Sequence, residues 1–104
     1  MERQVLFKKI RESLEAEFKN RLKGVIVYGS EARKDASPDS DIDVLVLLDD
    51  VSSFAQDLRR CVDSLFPLSL EIDRRISAKP VPFSLYNKAD CPLFRHAHRE
   101  GVAA

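Results

Sequence analysis

Two short pieces of this 104-residue chain could do chemistry together: Gly29-Ser30 and, ten residues further on, Asp41-Ile42-Asp43. On a strand, alternate residues point to the same side about 6.6 Å apart. Two carboxylates so placed can share one metal ion, or bridge a pair about 3.5–4 Å apart. Oxygen-only ligands suit Mg²⁺ or Mn²⁺, and phosphate oxygens commonly complete such ions. A Gly-Ser turn between a strand and a helix supplies the matching half: close backbone approach, free amides and a hydroxyl donor for a phosphate. The plain alternatives are a solvated strand end at the aspartates and an ordinary turn and cap at Gly29-Ser30. A third carboxylate on a neighbouring strand would close the metal site, and Glu71 or Asp73 could supply it.

The elements that must position these residues follow from hydrophobic periodicity. Leu6, Ile10, Leu14, Phe18 and Leu22 recur every four residues, which predicts a helix from about 3 to 22, ended by Gly24. Val25 to Tyr28 is β-branched and apolar on both faces, as a central buried strand should be. Gly29 breaks it, and Ser30 is placed to cap a short helix through Glu31–Lys34. "DASPDS" is turn chemistry. "DIDVLVLL" then reads as a strand with Asp41 and Asp43 on one face and Ile42, Val44 and Val46 on the other. Leu45 and Leu47 carry the aspartate face into the core.

Ser53 and Gln56 fit a capping box for a helix from about 53 to 65, stopped by Pro67. "LSLEIDRRI" alternates and reads as a third strand with an acidic centre. "SAKPVPFSLYNKAD" reads as a loop with room for one short edge strand. "PLFRHAHREG" reads as a closing helix, with Pro92 in its first turn and Gly101 past its end. The whole is one small α/β domain over residues 1–104.

Bulk properties exclude several classes. The 44% hydrophobic and 33% charged content fits a folded domain rather than a disordered chain. With 17 basic and 17 acidic residues, the zero net charge argues against binding a nucleic-acid backbone. The longest apolar run, Val44 to Leu48, is far short of the roughly 20 residues of a membrane helix. The charged N-terminus lacks a signal-peptide core, and Cys61 and Cys91 lack metal-ligand spacing. Free thiols and a cytoplasmic location are the expectation.

"GSEARKDASPDSDID" resembles the signature of the polymerase-β-like nucleotidyltransferase superfamily: Gly-Ser, ten residues, Asp-x-Asp. The small size and the ending "PLFRHAHREGV" are similar to its minimal nucleotidyltransferases. The resemblance runs from about Gly24 to Val102. It implies a small mixed sheet with flanking helices, ATP as donor, Mg²⁺ or Mn²⁺, and transfer of a nucleoside monophosphate to an acceptor hydroxyl. By position, Gly29 and Ser30 would hold the triphosphate and Asp41 and Asp43 the metals. Glu71, in "LEI", would be the third catalytic and metal-binding acid, with Asp73 the second candidate. The family often has glycine where Lys34 follows Arg33, and its small members more often carry aspartate as the third acid.

Arg33 is counted with the phosphate-binding residues, although a surface arginine would look the same. Arg74, Arg75, His96 and His98 are expected in solvent, and Tyr28 in packing. Small members of this kind are often paired with a helical HEPN-class protein in toxin–antitoxin modules, where the nucleotidyltransferase is the antitoxin. A chain this small favours an acceptor presented by another protein. The competing expectation is a module that keeps the fold and neutralises a partner by contact alone. Its discriminator is whether Glu71 or Asp73 faces Asp41 and Asp43.

Overall fold

The structure, a computed structural model, describes residues 1–34, 37, 39–88 and 91–104. Helix α1 spans Arg3–Phe18 and buries Leu6, Phe7, Ile10, Leu14 and Phe18. It ends four residues before the periodicity suggests. A 3₁₀ turn at Lys19–Arg21 swings the chain into strand β1, Leu22–Tyr28. Arg21 explains the early stop. Its guanidinium donates to both oxygens of the buried Asp57, at 3.0 and 2.8 Å, and to the Asp50 carbonyl. Its own carbonyl accepts from the Asp49 amide. Fixed in this way, residue 21 cannot take part in a further helical turn. Leu22 therefore pairs with Leu48, and Gly24 lies inside β1 instead of ending a helix.

After the short helix α2, Ser30–Arg33, comes strand β2, Ile42–Leu48. Between them, Asp35, Ala36 and Pro38 of the expected turn lie outside the described residues. Ser37 and Ser40 are joined by the Ser40 amide to the Ser37 carbonyl at 3.1 Å, which is turn geometry. β1 and β2 are antiparallel, with Val25 opposite Val46 and Tyr28 opposite Asp43.

Helix α3 runs over Phe54–Ile72, seven residues past the expected end. Ser53 caps it by accepting from the Gln56 amide at 3.4 Å, as the sequence implies. Pro67 does not stop it. Leu65 and Leu68 are buried and Ile72 packs against the core. With Cys61 they form a 4-3-4 helical spacing that continues through the proline. Residues 68–72 of the expected strand over 68–76 are therefore the last turn of α3, which is capped by Asp73 in the left-handed conformation (φ 54°).

Strand β3 is Ile76–Pro82: it takes the last residue of the expected third strand and otherwise lies in the segment expected as a loop with room for one short edge strand. It runs parallel to β2, with Asp43 opposite Ser77 and Leu45 opposite Lys79. Helices α4, Phe83–Lys88, and α5, Pro92–Glu100, follow. α5 has Pro92 in its first turn, as the sequence predicts. Gly101 then passes so close to β1 that a Cβ would stand 2.5 Å from Ile26 Cγ2. This approach delivers β4, Val102–Ala103, which the sequence reading does not foresee, alongside β1.

The sheet order is β3-β2-β1-β4 and the sheet is mixed, as the resemblance implies. One face, with Ile42, Val44, Val46, Val25 and Val27, packs against α1 and α3. The other, with Leu45, Leu47 and Val81, packs against Tyr86 of α4 and Ala97 of α5. By alternation Asp43 belongs to this second face.

Candidate functional site

The candidate site lies where β1 leaves the sheet and β2 enters it. Gly29 caps α2 with φ 73° and ψ −151°, a conformation essentially confined to glycine. Its carbonyl accepts from the Arg33 amide at 3.2 Å. Ser30 is the first residue of α2 rather than its cap, and no side chain caps the helix. The amides of its first turn therefore have no partner within the helix.

Because Tyr28 pairs with Asp43, the next residue, Gly29, sits directly against the Asp43 side chain. A Cβ on Gly29 would fall 2.6 Å from Asp43 Oδ2. Glycine is thus required twice, by its backbone angles and by the carboxylate beside it. Asp41 stands one residue ahead of β2 and is exposed, while Asp43 is half-buried. Burial, then the charge of Asp41, raise the Asp43 pKa, and Arg33 and Lys79 oppose the rise. Tyr28 is raised as well, by burial and by the Asp43 charge.

A pair of like charges, one of them partly desolvated, is what a divalent cation relieves. The donor set is all oxygen, and Asp43 stands against Gly29, the residue that opens α2. Asp41 and Asp43 therefore fit one Mg²⁺ or Mn²⁺ shared with a phosphate.

The expected third acid is not brought to them. Glu71 lies on α3, across the sheet from Asp43, and pairs with Lys9 of α1 at 2.9 Å with both side chains well exposed. Asp73 terminates α3 and is exposed. No three acidic, histidine or cysteine side chains among the described residues come together as a metal-binding group. On β3 the residue opposite Asp43 is Ser77, and the next on that face is Lys79.

Two residues that hold the site together escape the sequence reading. Arg74, expected in solvent, is largely buried and binds Glu31 of α2 at 2.6 Å and the Ser40 carbonyl at 3.1 Å. Arg3 donates to the Ala32 carbonyl at 3.1 Å. Together they clamp both ends of the loop that carries Gly29 to Asp41. Arg33 lies near Glu100 at 3.5 Å, within electrostatic reach of Asp43. His98 stacks on Tyr86, with ring centroids 4.1 Å apart, and His96 meets Glu100 at 3.0 Å. Both cysteines are free; Cys61 is fully buried, with its thiol pKa pushed up to about 12.

A mixed sheet with a glycine-serine turn held against an Asp-x-Asp strand defines a nucleotidyltransferase-type domain. Comparison bears this out: the family of the nucleotidyltransferase domain matches residues 7–95, and the chain belongs to it. No curated protein matches the chain significantly. A solved structure described as "Crystal structure of the toxin-antitoxin with AMP-PNP" superposes with TM-score 0.67. It covers 93% of this chain and 70% of that one at 18% identity, so the likeness is one of fold. Among the described residues no helix is long and apolar enough to cross a membrane.

Proposed function

We propose that the chain is a divalent-metal-dependent nucleotidyltransferase that moves a nucleoside monophosphate from ATP to a hydroxyl on a partner protein, as the antitoxin of a toxin–antitoxin pair. The observation that carries this reading is the contact between the Gly29 backbone and the Asp43 carboxylate. That contact supports a site where a turn suited to phosphate lies beside a strand end suited to a cation. Family membership supports the reaction class, and the fold shared with a nucleotide-bound toxin–antitoxin structure supports the donor and the setting.

In this reading the amides and hydroxyl at Gly29-Ser30 orient the triphosphate, and Arg33 adds positive charge beside it. Mg²⁺ or Mn²⁺ held by Asp41 and Asp43 would supply charge stabilisation at the phosphate oxygens. The acceptor oxygen bonds to the α-phosphorus, the α–β bridging bond breaks, and pyrophosphate leaves with the electron pair. The hydroxyl proton passes to solvent. Glu71 has no role, because the sheet separates it from Asp43.

One observation favours a second reading, a binding module that neutralises its partner by contact: among the described residues neither Glu71 nor Asp73 joins Asp41 and Asp43. β3 offers Ser77 and Lys79 where a third carboxylate would complete the site. Incubation with labelled ATP and Mg²⁺, with and without the protein encoded beside this one, separates the two. Transfer to the partner that is lost in Asp43→Asn supports the enzyme. Complex formation without transfer supports the binding module. Equal transfer by wild type and Asp43→Asn rules out the site assigned above.

A further inference from the structure

Asp41 is the exposed member of the aspartate pair and stands outside the sheet, one residue ahead of β2. A metal ligand needs neighbours that fix its direction. Here the two peptide groups that flank Asp41 are held by one dipeptide. On one side the Ser40 carbonyl accepts from Arg74 Nε at 3.1 Å. On the other the Ile42 amide donates to the Arg75 carbonyl at 2.9 Å. The second bond opens the β2–β3 pairing and is pure backbone. The first rests on a single side chain.

That side chain starts from a fixed base. The Arg74 amide donates to the Ser69 carbonyl at 3.2 Å, and the Arg74 carbonyl accepts from the Ser69 hydroxyl. The end of α3 therefore holds the guanidinium in place.

The same guanidinium meets Glu31, the residue after Ser30, at 2.6 Å, with the two side chains only 17% and 13% exposed. An unpaired acid beside Ser30 would repel any phosphate held at the Gly29-Ser30 turn. Arg74 cancels that charge where it stands. One planar fork thus reaches both the phosphate turn and the approach to Asp41. The point charge of a lysine can pair with Glu31 but cannot also keep the Nε bond to Ser40.

We propose that Arg74 is a positioning residue that aims the Asp41 carboxylate at the metal and screens the Glu31 charge from the bound phosphate. This rests on the nucleotide–metal site proposed above. The test is calorimetric titration of full-length variants with ATP, in Mg²⁺ and in a chelator, each below its melting temperature. Arg74→Lys keeps the charge and loses the hold on Ser40. It should bind ATP in chelator as the wild type does, while its gain in affinity from Mg²⁺ falls to about a third of the wild-type gain or less. Arg74→Met should also weaken binding in chelator, by about threefold. Adding Glu31→Gln to it should restore binding in chelator but not the gain from Mg²⁺. Asp57→Asn breaks the buried pair with Arg21, at the opposite end of β1. It should lower the melting temperature and keep the gain from Mg²⁺. An Arg74→Lys protein with the full gain overturns the positioning role, as does an Asp57→Asn protein that loses the gain too. Arg74→Met that binds in chelator like the wild type overturns the screening role. A wild type that gains nothing from Mg²⁺ overturns the nucleotide–metal site itself, and this proposal with it.

Discussion

Gly29 and Asp43 occupy adjoining space, so close that a methyl group on the glycine would come within 2.6 Å of the carboxylate oxygen. Gly29→Ala should therefore destabilise the fold by about 2–4 kcal/mol, from the backbone conformation and the collision together. Asp43→Ala in the same background removes only the collision. The double variant should be more stable than the sum of the two single changes, by about 1 kcal/mol. Urea unfolding of the four proteins reads this coupling directly.

Asp43 also predicts a pH dependence. Its folded pKa is raised, so the fold favours the protonated acid. Stability withheld by such a group grows as pH rises from the unfolded pKa through the folded one. Asp43→Asn and wild type should melt alike near about pH 3, and the variant should melt higher by about pH 7. Added Mg²⁺ should raise the melting temperature of the wild type and leave the variant unmoved. A wild type that outlasts Asp43→Asn at neutral pH without metal contradicts the assigned burial and charge.

Pro67 sits inside α3 with its ring in solvent. An interior proline removes one helical hydrogen bond and crowds the carbonyl four residues back, here that of the exposed Asp63. Pro67→Ala should stabilise the protein by about 1–2 kcal/mol, the gain being reduced by the greater freedom of the unfolded chain. Thermal or urea unfolding checks the sign.

The same proline shows why part of the fold was legible in the sequence and part was not. "DIDVLVLL" could be read because its burial begins at Ile42 and holds on both faces from Val44 on. In "LSLEI" the residues Leu68 and Ile72 fit a period of two and a period of 3.6 equally. The proline tipped the reading toward a strand, while packing of Leu65, Leu68 and Ile72 on the core decided for a helix. With that strand went the expected third acid, since Glu71 depended on its register. The placement of Gly29 at the end of β1 and of Asp43 in β2 was legible because it follows from local turn and strand chemistry. Arg74 and Arg3 could not be foreseen, because nothing local says that a charged side chain will fold back onto α2.

Lys34 carries a further signature. It follows α2 in the left-handed conformation, φ 65°, where the resemblance leads one to expect glycine. A side chain there is strained by about 1 kcal/mol. Lys34→Gly should stabilise the fold by about 0.5–1 kcal/mol, whereas Lys34→Val should destabilise it. Differential scanning calorimetry of the two variants tests this pair of opposite signs.

In the proposed function, Gly29-Ser30 and the two aspartates form one nucleotide–metal site. Calorimetric titration of the full chain with ATP, in Mg²⁺ and again in a chelator, tests it most directly. Binding should be at least tenfold tighter with Mg²⁺, an advantage that Asp43→Asn loses. Equal affinity with and without Mg²⁺, or an Asp43→Asn protein that binds like the wild type, would contradict it.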